Sequence, residues 1–242
     1  MNWKKDLREK DDAVSPVIAL MLILAILATC LAVYTTTYVP GLKQQDEITH
    51  SGEVKLAFER FASDIDNVIA LGKPAVYTEV LELGGGDVPL SPTKSSGTIE
   101  INTTVIGNYT VGSETKDLNV IEISYLPSFT AWEKQGYLYK KGVVWITKDE
   151  KKTPAMLTLY TFEDGGNREK EILAKWYPAS TEIIPNFSVV EGKSEITGTS
   201  AVKLRLNATL GDKMDYVEVT LNGDTEKAYN NARLLNIEVS VE

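Results

Sequence analysis

The sequence predicts an α+β chain: a long hydrophobic N-terminal helix, an amphipathic helix continuing from it, and a mainly antiparallel, β-sandwich-like domain behind them. Three observations carry this. Val14 to Leu42 contains no charged residue; apolar residues then recur at steps of three and four from Val54 to Ile69; and from about residue 76 the period drops to two. These periods mark an all-round apolar helix, a one-faced helix and half-buried strands respectively. With 242 residues, 43% hydrophobic and 24% charged, the chain can build one sizeable domain and an appendage.

The first element is the apolar run. Val14 to Val33 is broken only by Ser15, Pro16 and Thr29, which satisfies the roughly 20 residues needed to cross a hydrocarbon core. Tyr34 and Tyr38 follow, as suits a membrane–water interface. A buried core helix is rarely apolar on every side for this length, so a membrane span is expected over residues 14–39. Pro16 is expected in the first turn, where a missing N–H is harmless, with Ser15 as its cap. Lys4, Lys5, Arg8 and Lys10 precede the span and only Lys43 follows closely. The positive-inside rule therefore puts the N-terminus in the cytoplasm and everything beyond the span outside, at the cell membrane in a single pass.

Pro40-Gly41 reads as a hinge. Beyond it, within residues 40–72, Val54, Ala57, Phe58, Phe61, Ile65, Val68 and Ile69 form one stripe ending near Gly72-Lys73-Pro74, with Glu53, Lys55, Glu59, Arg60, Asp64 and Asp66 on the polar face. So short a stripe favours packing on the chain's own sheet over a coiled coil. Residues 73–242 then supply the strands. Val202 to Leu210 and Leu235 to Val241 alternate strictly, and weaker strands read at Thr98–Ile106, Leu118–Tyr125, Tyr137–Thr147, Ala155–Phe162 and Tyr216–Leu221. Asp164-Gly165-Gly166-Asn167 and Leu221-Asn222-Gly223-Asp224 carry turn chemistry. One face buried and one solvated is the antiparallel pattern, and eight or more such strands suggest a sandwich or related layered domain.

The leader ends in Asp11-Asp12-Ala13, directly before Val14-Ser15-Pro16-Val17-Ile18. An ordinary secretory signal has a shorter apolar region and a small-residue cut site behind it. This start instead resembles the class III signal of archaeal type IV pilins and their relatives over about the first 35 residues. It departs from the common patterns in Ile18, where many bacterial pilins carry Glu, and in Ala19, where the archaeal pattern usually has Gly. The resemblance implies that residues 1–13 are a leader, that a prepilin peptidase cuts between Ala13 and Val14, and that the hydrophobic helix is kept. In that family the helix anchors the subunit and then forms the packed core of a surface filament made of its copies.

Composition narrows the chemistry. An acid excess giving net charge -9 argues against nucleic acid as a partner. A single Cys excludes a disulfide scaffold and a thiolate-rich metal site. Cys30, inside the span, reads as a small hydrophobe. The single His, His50, has no second imidazole with which to share a metal and reads as a solvated helix-surface residue. Gly84-Gly85-Gly86-Asp87 lacks the Lys-Ser/Thr of a phosphate loop and reads as a flexible turn. Asp64 with Asp66, or Glu163 with Asp164, are acid pairs of the kind that glycoside chemistry uses, and are more simply solvated charges. Asn222 and Asp224 lack the further carboxylates of a Ca²⁺ loop. Trp132, Trp145 and Trp176 read as packing residues rather than sugar platforms. No catalytic, cofactor-binding or metal-binding residue is assigned.

Four sequons, at Asn102, Asn108, Asn186 and Asn207, would accept N-linked glycans on an extracytoplasmic surface. The expected function is that of a non-enzymatic, pilin-like surface protein, its partners being membrane lipid, copies of itself and a prepilin peptidase. A permanently anchored, extracytoplasmic binding or envelope protein that never polymerises is the alternative. An anchored carbohydrate-active enzyme stands third.

Overall fold

A computed structural model describes residues 3–85, 88–91, 93–157, 183–221 and 224–242, with side chains from Pro16 onward except those of 157 and 224–227. Asp164-Gly165-Gly166-Asn167, Glu163, Trp176 and the Gly86-Asp87 and Asn222-Gly223 pairs lie outside the described residues.

The N-terminal part of the architecture is one uninterrupted helical rod: α1 (Trp3–Val33), a π-helical turn (Tyr34–Tyr38) and α2 (Val39–Leu71). Two sequence expectations are corrected here. α1 begins at Trp3, so Pro16 lies inside it rather than in its first turn, and Ser15 does not start a helix. Pro40-Gly41 does not break the rod either. Proline has no N–H to donate and its ring collides with the carbonyl four residues back, here Thr36. Widening the preceding turn relieves that collision, and the Val39 N–H accordingly reaches the Tyr34 carbonyl, five residues back. α2 stops where expected: Gly72 takes a left-handed φ of 55° and donates its N–H to the Val68 carbonyl at 3.0 Å.

Ten strands follow among the described residues: β1 (Ala75–Glu82), β2 (Ser96–Val111), β3 (Glu114–Ser128), β4 (Gly136–Lys140), β5 (Val143–Lys148), β6 (Lys151–Leu157), β7 (Ile183–Val189), β8 (Glu195–Gly198), β9 (Ala201–Leu221) and β10 (Asp224–Val241). They form one hydrogen-bonded sheet in the order β6-β5-β4-β3-β2-β9-β10-β7, with β1 added on β9 and β8 on β2. All pairings are antiparallel except β10 with β7. Strands distant in that order still meet, since the Asn119 amide on β3 donates to Asn186 Oδ1 on β7 at 2.8 Å. The sheet thus coils back on itself, and the layering is made within one sheet instead of two.

Two strand expectations need revision. Tyr137–Thr147 is not one strand but the β4–β5 hairpin, turned by Lys141 (φ 50°) and Gly142 (φ 77°), the positive pair a two-residue hairpin loop requires. Conversely, Val202–Leu210 and Tyr216–Leu221 belong to the single strand β9. An extra residue near Gly211-Asp212, between the pairs Lys213–Arg233 and Leu210–Leu235, bulges the strand. The buried positions are Val202, Leu204, Leu206 and Ala208 before it, and the parity changes beyond it, between half-buried Met214 and buried Val217, opposite Asn231 with its φ of 59°.

The α2 stripe packs onto this sheet as expected. Val54, Phe58, Phe61, Ala62, Ile65 and Val68 are at most 2% exposed and share one core with Ile99, Ile101, Ile123, Leu204 and Leu206. Asp66, expected on the polar face, is buried in the same stripe.

Candidate functional site

Two features of the rod stand out: an apolar half with nothing against it among the described residues, and a polar seam where the other half enters the sheet domain.

From Pro16 to Val33 every side chain is exposed. Val17, Met21, Leu24 and Leu27 each show more than half their surface, and Cys30 is exposed among them. Such a face is costly in water and favourable in hydrocarbon. The few hydroxyls are already satisfied locally: Thr29 donates to the Ala25 carbonyl at 2.7 Å and Thr36 to the Ala32 carbonyl at 2.7 Å, as a lipid environment requires. Tyr34 and Tyr38 stack with centroids 6.2 Å apart at its C-terminal end. Among the described residues this is one helix long and apolar enough to cross a membrane. Its properties are those of a single-pass membrane anchor.

The polar seam begins one turn later. Lys43, Glu47, His50 and Ser51 lie at the same spacing as Val54 and Phe58 and face the domain, so all four are buried. Buried polar groups need partners, and loops at the base of the sheet provide them. Lys43 Nζ donates to the Thr93 carbonyl at 2.6 Å and to Thr93 Oγ1 at 2.8 Å. Glu47 Oε1 accepts from the Ser95 hydroxyl, the Thr130 amide (3.0 Å) and the Thr130 hydroxyl (3.3 Å), and Oε2 from the Ala131 amide (2.9 Å). Burial pushes the Glu47 carboxyl up, but these hydrogen bonds outweigh it and hold it below the usual carboxylate value.

His50 is 4% exposed, not solvated as expected. Its Nε2 lies 3.0 Å from Tyr125 Oη, which donates its one proton to the Leu83 carbonyl at 2.9 Å. The phenol oxygen is therefore left to accept from an Nε2–H of the imidazole. Burial pulls His50 below its ordinary value, against the opposing pull of Glu53, Glu82 and Asp46. Ser51 Oγ completes the seam at 2.9 Å from Tyr137 Oη. The glycine loop is part of this packing. A Cβ on Gly85 would stand 2.9 Å from His50 Cβ, and one on Gly84 would collide with the Ser95 carbonyl. These glycines permit close approach rather than mere flexibility.

The remaining sequence candidates scatter. Asp64 and Asp66 do not act as a pair: Asp66 is buried, whereas Asp64 shares a surface hollow with Glu79, Glu59, Arg60, Ser63, Leu56 and Met156. Burial and the nearby Glu79 push the Asp64 carboxyl up to about 6. Trp132 and Trp145 are half-buried. Among the sequons, Asn102 is exposed, its Nδ2 donating to Glu100 Oε1 at 2.8 Å, while Asn108, Asn186 and Asn207 are half-buried. Val14 to Ile18 all lie within α1. Glu47 and Ser51, to which the sequence assigns no role, and Lys43, which it reads only as the charge flanking the span, carry the helix–sheet junction. No family model, curated protein or solved structure matches the chain.

Proposed function

We propose that this chain is a pilin-like cell-surface protein of archaeal type. A prepilin peptidase removes residues 1–13 by cutting between Ala13 and Val14. Residues 14–39 then hold the product in the membrane, N-terminus inward, and pack with their copies into a type IV pilus-like filament on extraction. The sheet domain faces outward for adhesion or surface contact and works without catalysis. Glycans on its sequons, Asn102 foremost, would lie on the outer surface.

One observation carries this reading. The helix is apolar on every side and exposed, yet it runs without a break into a helix whose own stripe is already consumed by the sheet. Among the described residues α1 thus has nothing to bury against, which favours lipid or copies of itself as the contact. Mass spectrometry of the native, membrane-extracted protein tests the processing: a chain starting at Val14 is expected, and one starting at Met1 refutes cleavage. Electron microscopy of sheared surface material tests assembly. Filaments containing the chain are expected; their absence leaves the permanently anchored, non-polymerising binding or envelope protein as the better reading.

A further inference from the structure

We propose that a cavity at the end of the domain remote from the span receives a basic side chain, lysine or arginine, of a partner protein. This deepens the outward-contact reading and rests on it for the partner's presence outside the membrane. The cavity, of about 510 Å³, lies between the tip of the β2–β3 hairpin and the β9 bulge. Small-ligand sites are of this size, about 300–1,000 Å³. Two glycines shape it. Gly112, at φ 62°, turns β2 into β3, and Gly211 lets the bulge approach β10, since a Cβ there would stand 3.3 Å from the Leu234 carbonyl. Its place along the rod follows from contacts. Leu234 pairs with Ile184 on β7, and the neighbouring Ile183 lies against Gly72, where α2 ends. A span of about 20 residues from Pro16 reaches Thr35, and Gly72 stands about 55 Å further along the helix.

The lining selects among ligands. Val111, Met214 and Leu234, all half-buried, form an apolar wall, and methionine adapts its shape to what lies against it. Glu114 and Lys116 also line the cavity and pair with each other at 3.3 Å. Asp212, exposed, has no cation or donor on it among the described residues, so one carboxylate is left over. Lys213 and Arg233, paired across the ladder nearby, do not line the cavity. Tyr109 does; it is 7% exposed, and its hydroxyl makes no hydrogen bond among the described residues, where a buried hydroxyl needs a partner. An anion would meet surplus negative charge, with the lining cation already held by Glu114. A sugar ring would stack on an open aromatic face, whereas the Tyr109 ring is buried. A basic side chain fits both halves. Its aliphatic stem lies along the apolar wall, and its charged head donates to Asp212, with the Tyr109 oxygen as a second acceptor.

Nuclear magnetic resonance of methyl-labelled methionine tests this on the full-length chain in a non-ionic detergent. Met214 lines the cavity, whereas Met21 lies in the span and Met156 in the hollow beside Asp64. The probe is Nα-acetyl-lysine methylamide, compared with Nα-acetyl-norleucine methylamide, which keeps the stem and lacks the ammonium. The lysine probe is expected to shift the Met214 methyl signal saturably, leaving Met21 and Met156 unmoved, and the norleucine probe to bind about tenfold more weakly. Asp212→Asn is expected to weaken the lysine probe by a similar factor and to leave the denaturation midpoint unchanged. Equal binding of the two probes overturns the proposal, as does equal binding of the lysine probe to the native chain and to Asp212→Asn. A Met214 signal that the lysine probe does not move overturns it too. One moved by methyl glucoside alone assigns the cavity to a sugar instead. None of these measurements depends on cleavage at Val14 or on filament assembly, so failure of this site and failure of the pilin-like reading are told apart.

Discussion

Glu47 is the residue on which the helix–sheet junction turns. Its carboxylate is fully buried and receives four hydrogen bonds from three residues of two different loops. Charge-assisted bonds of this kind contribute about 1.5–3 kcal/mol each when one partner is removed, and they are not additive. Glu47→Ala is expected to destabilise the domain by about 3 kcal/mol, measured as a lowered denaturation midpoint in detergent. Asp64 behaves in the opposite sense with pH. Its folded pKa of about 6 exceeds the ordinary 3.8, so the folded chain binds that proton more tightly than the unfolded chain does. Its contribution is intact below the lower value and is lost as pH rises through the higher one. Asp64→Asn should therefore leave the midpoint unchanged near pH 3.5 and raise it at pH 7.5. Because Asp64 is partly solvated, the gain is about 1 kcal/mol rather than the full value of the shift. Equal gains at both pH values would contradict this origin.

At the scale of the element, the α2 stripe makes a sharper distinction than composition does. Phe61 is 1% exposed in the core, whereas Leu56, on the same helix, is 50% exposed. Phe61→Ala should cost about 3–5 kcal/mol by opening a cavity, and Leu56→Ala less than about 0.5 kcal/mol; paired chemical denaturation curves separate the two. The stripe was legible because burial of a helix against a sheet imposes one period over many residues. Its polar extension through Lys43, Glu47 and His50 keeps the same spacing. Polar side chains do not advertise burial, however, and their partners come from far along the chain, Thr93, Ser95 and Thr130 in loops and Tyr125 on β3. Hairpins were legible where alternation and turn residues agreed. The β4–β5 turn was hidden because Lys141-Gly142 sits in a run of Tyr, Val and Trp that reads as continuous strand. The unity of β9 was hidden by its bulge near Gly211-Asp212 and by the parity change between Met214 and Val217. The parallel docking of β7 on β10 depends on long-range pairing that no local pattern records.

For the whole molecule, the decisive property is the division of one rod between two solvents. The domain's core extends along α2 from Val54 to Ile69, and the polar seam carries the contact down to Val39; nothing above that point depends on α1 for its packing. Among the described residues, a chain starting at residue 39 therefore retains the buried core of the sheet domain and the polar seam, while losing the exposed apolar surface between Pro16 and Val33. It should fold, stay monomeric in aqueous buffer and show the same denaturation midpoint as the domain in the full-length protein. The full-length chain should instead sediment with membranes, resist extraction by alkaline carbonate and need detergent to dissolve, since a helix of this apolar length is worth far more in lipid than any peripheral contact. Release of the full-length chain by carbonate would mean that the apolar rod is sheltered by protein rather than by lipid. A shortened chain that aggregated would mean that the junction at Val39 and Lys43 draws part of its stability from the span. The two measurements thus test separately the anchor and the independence of the domain it carries.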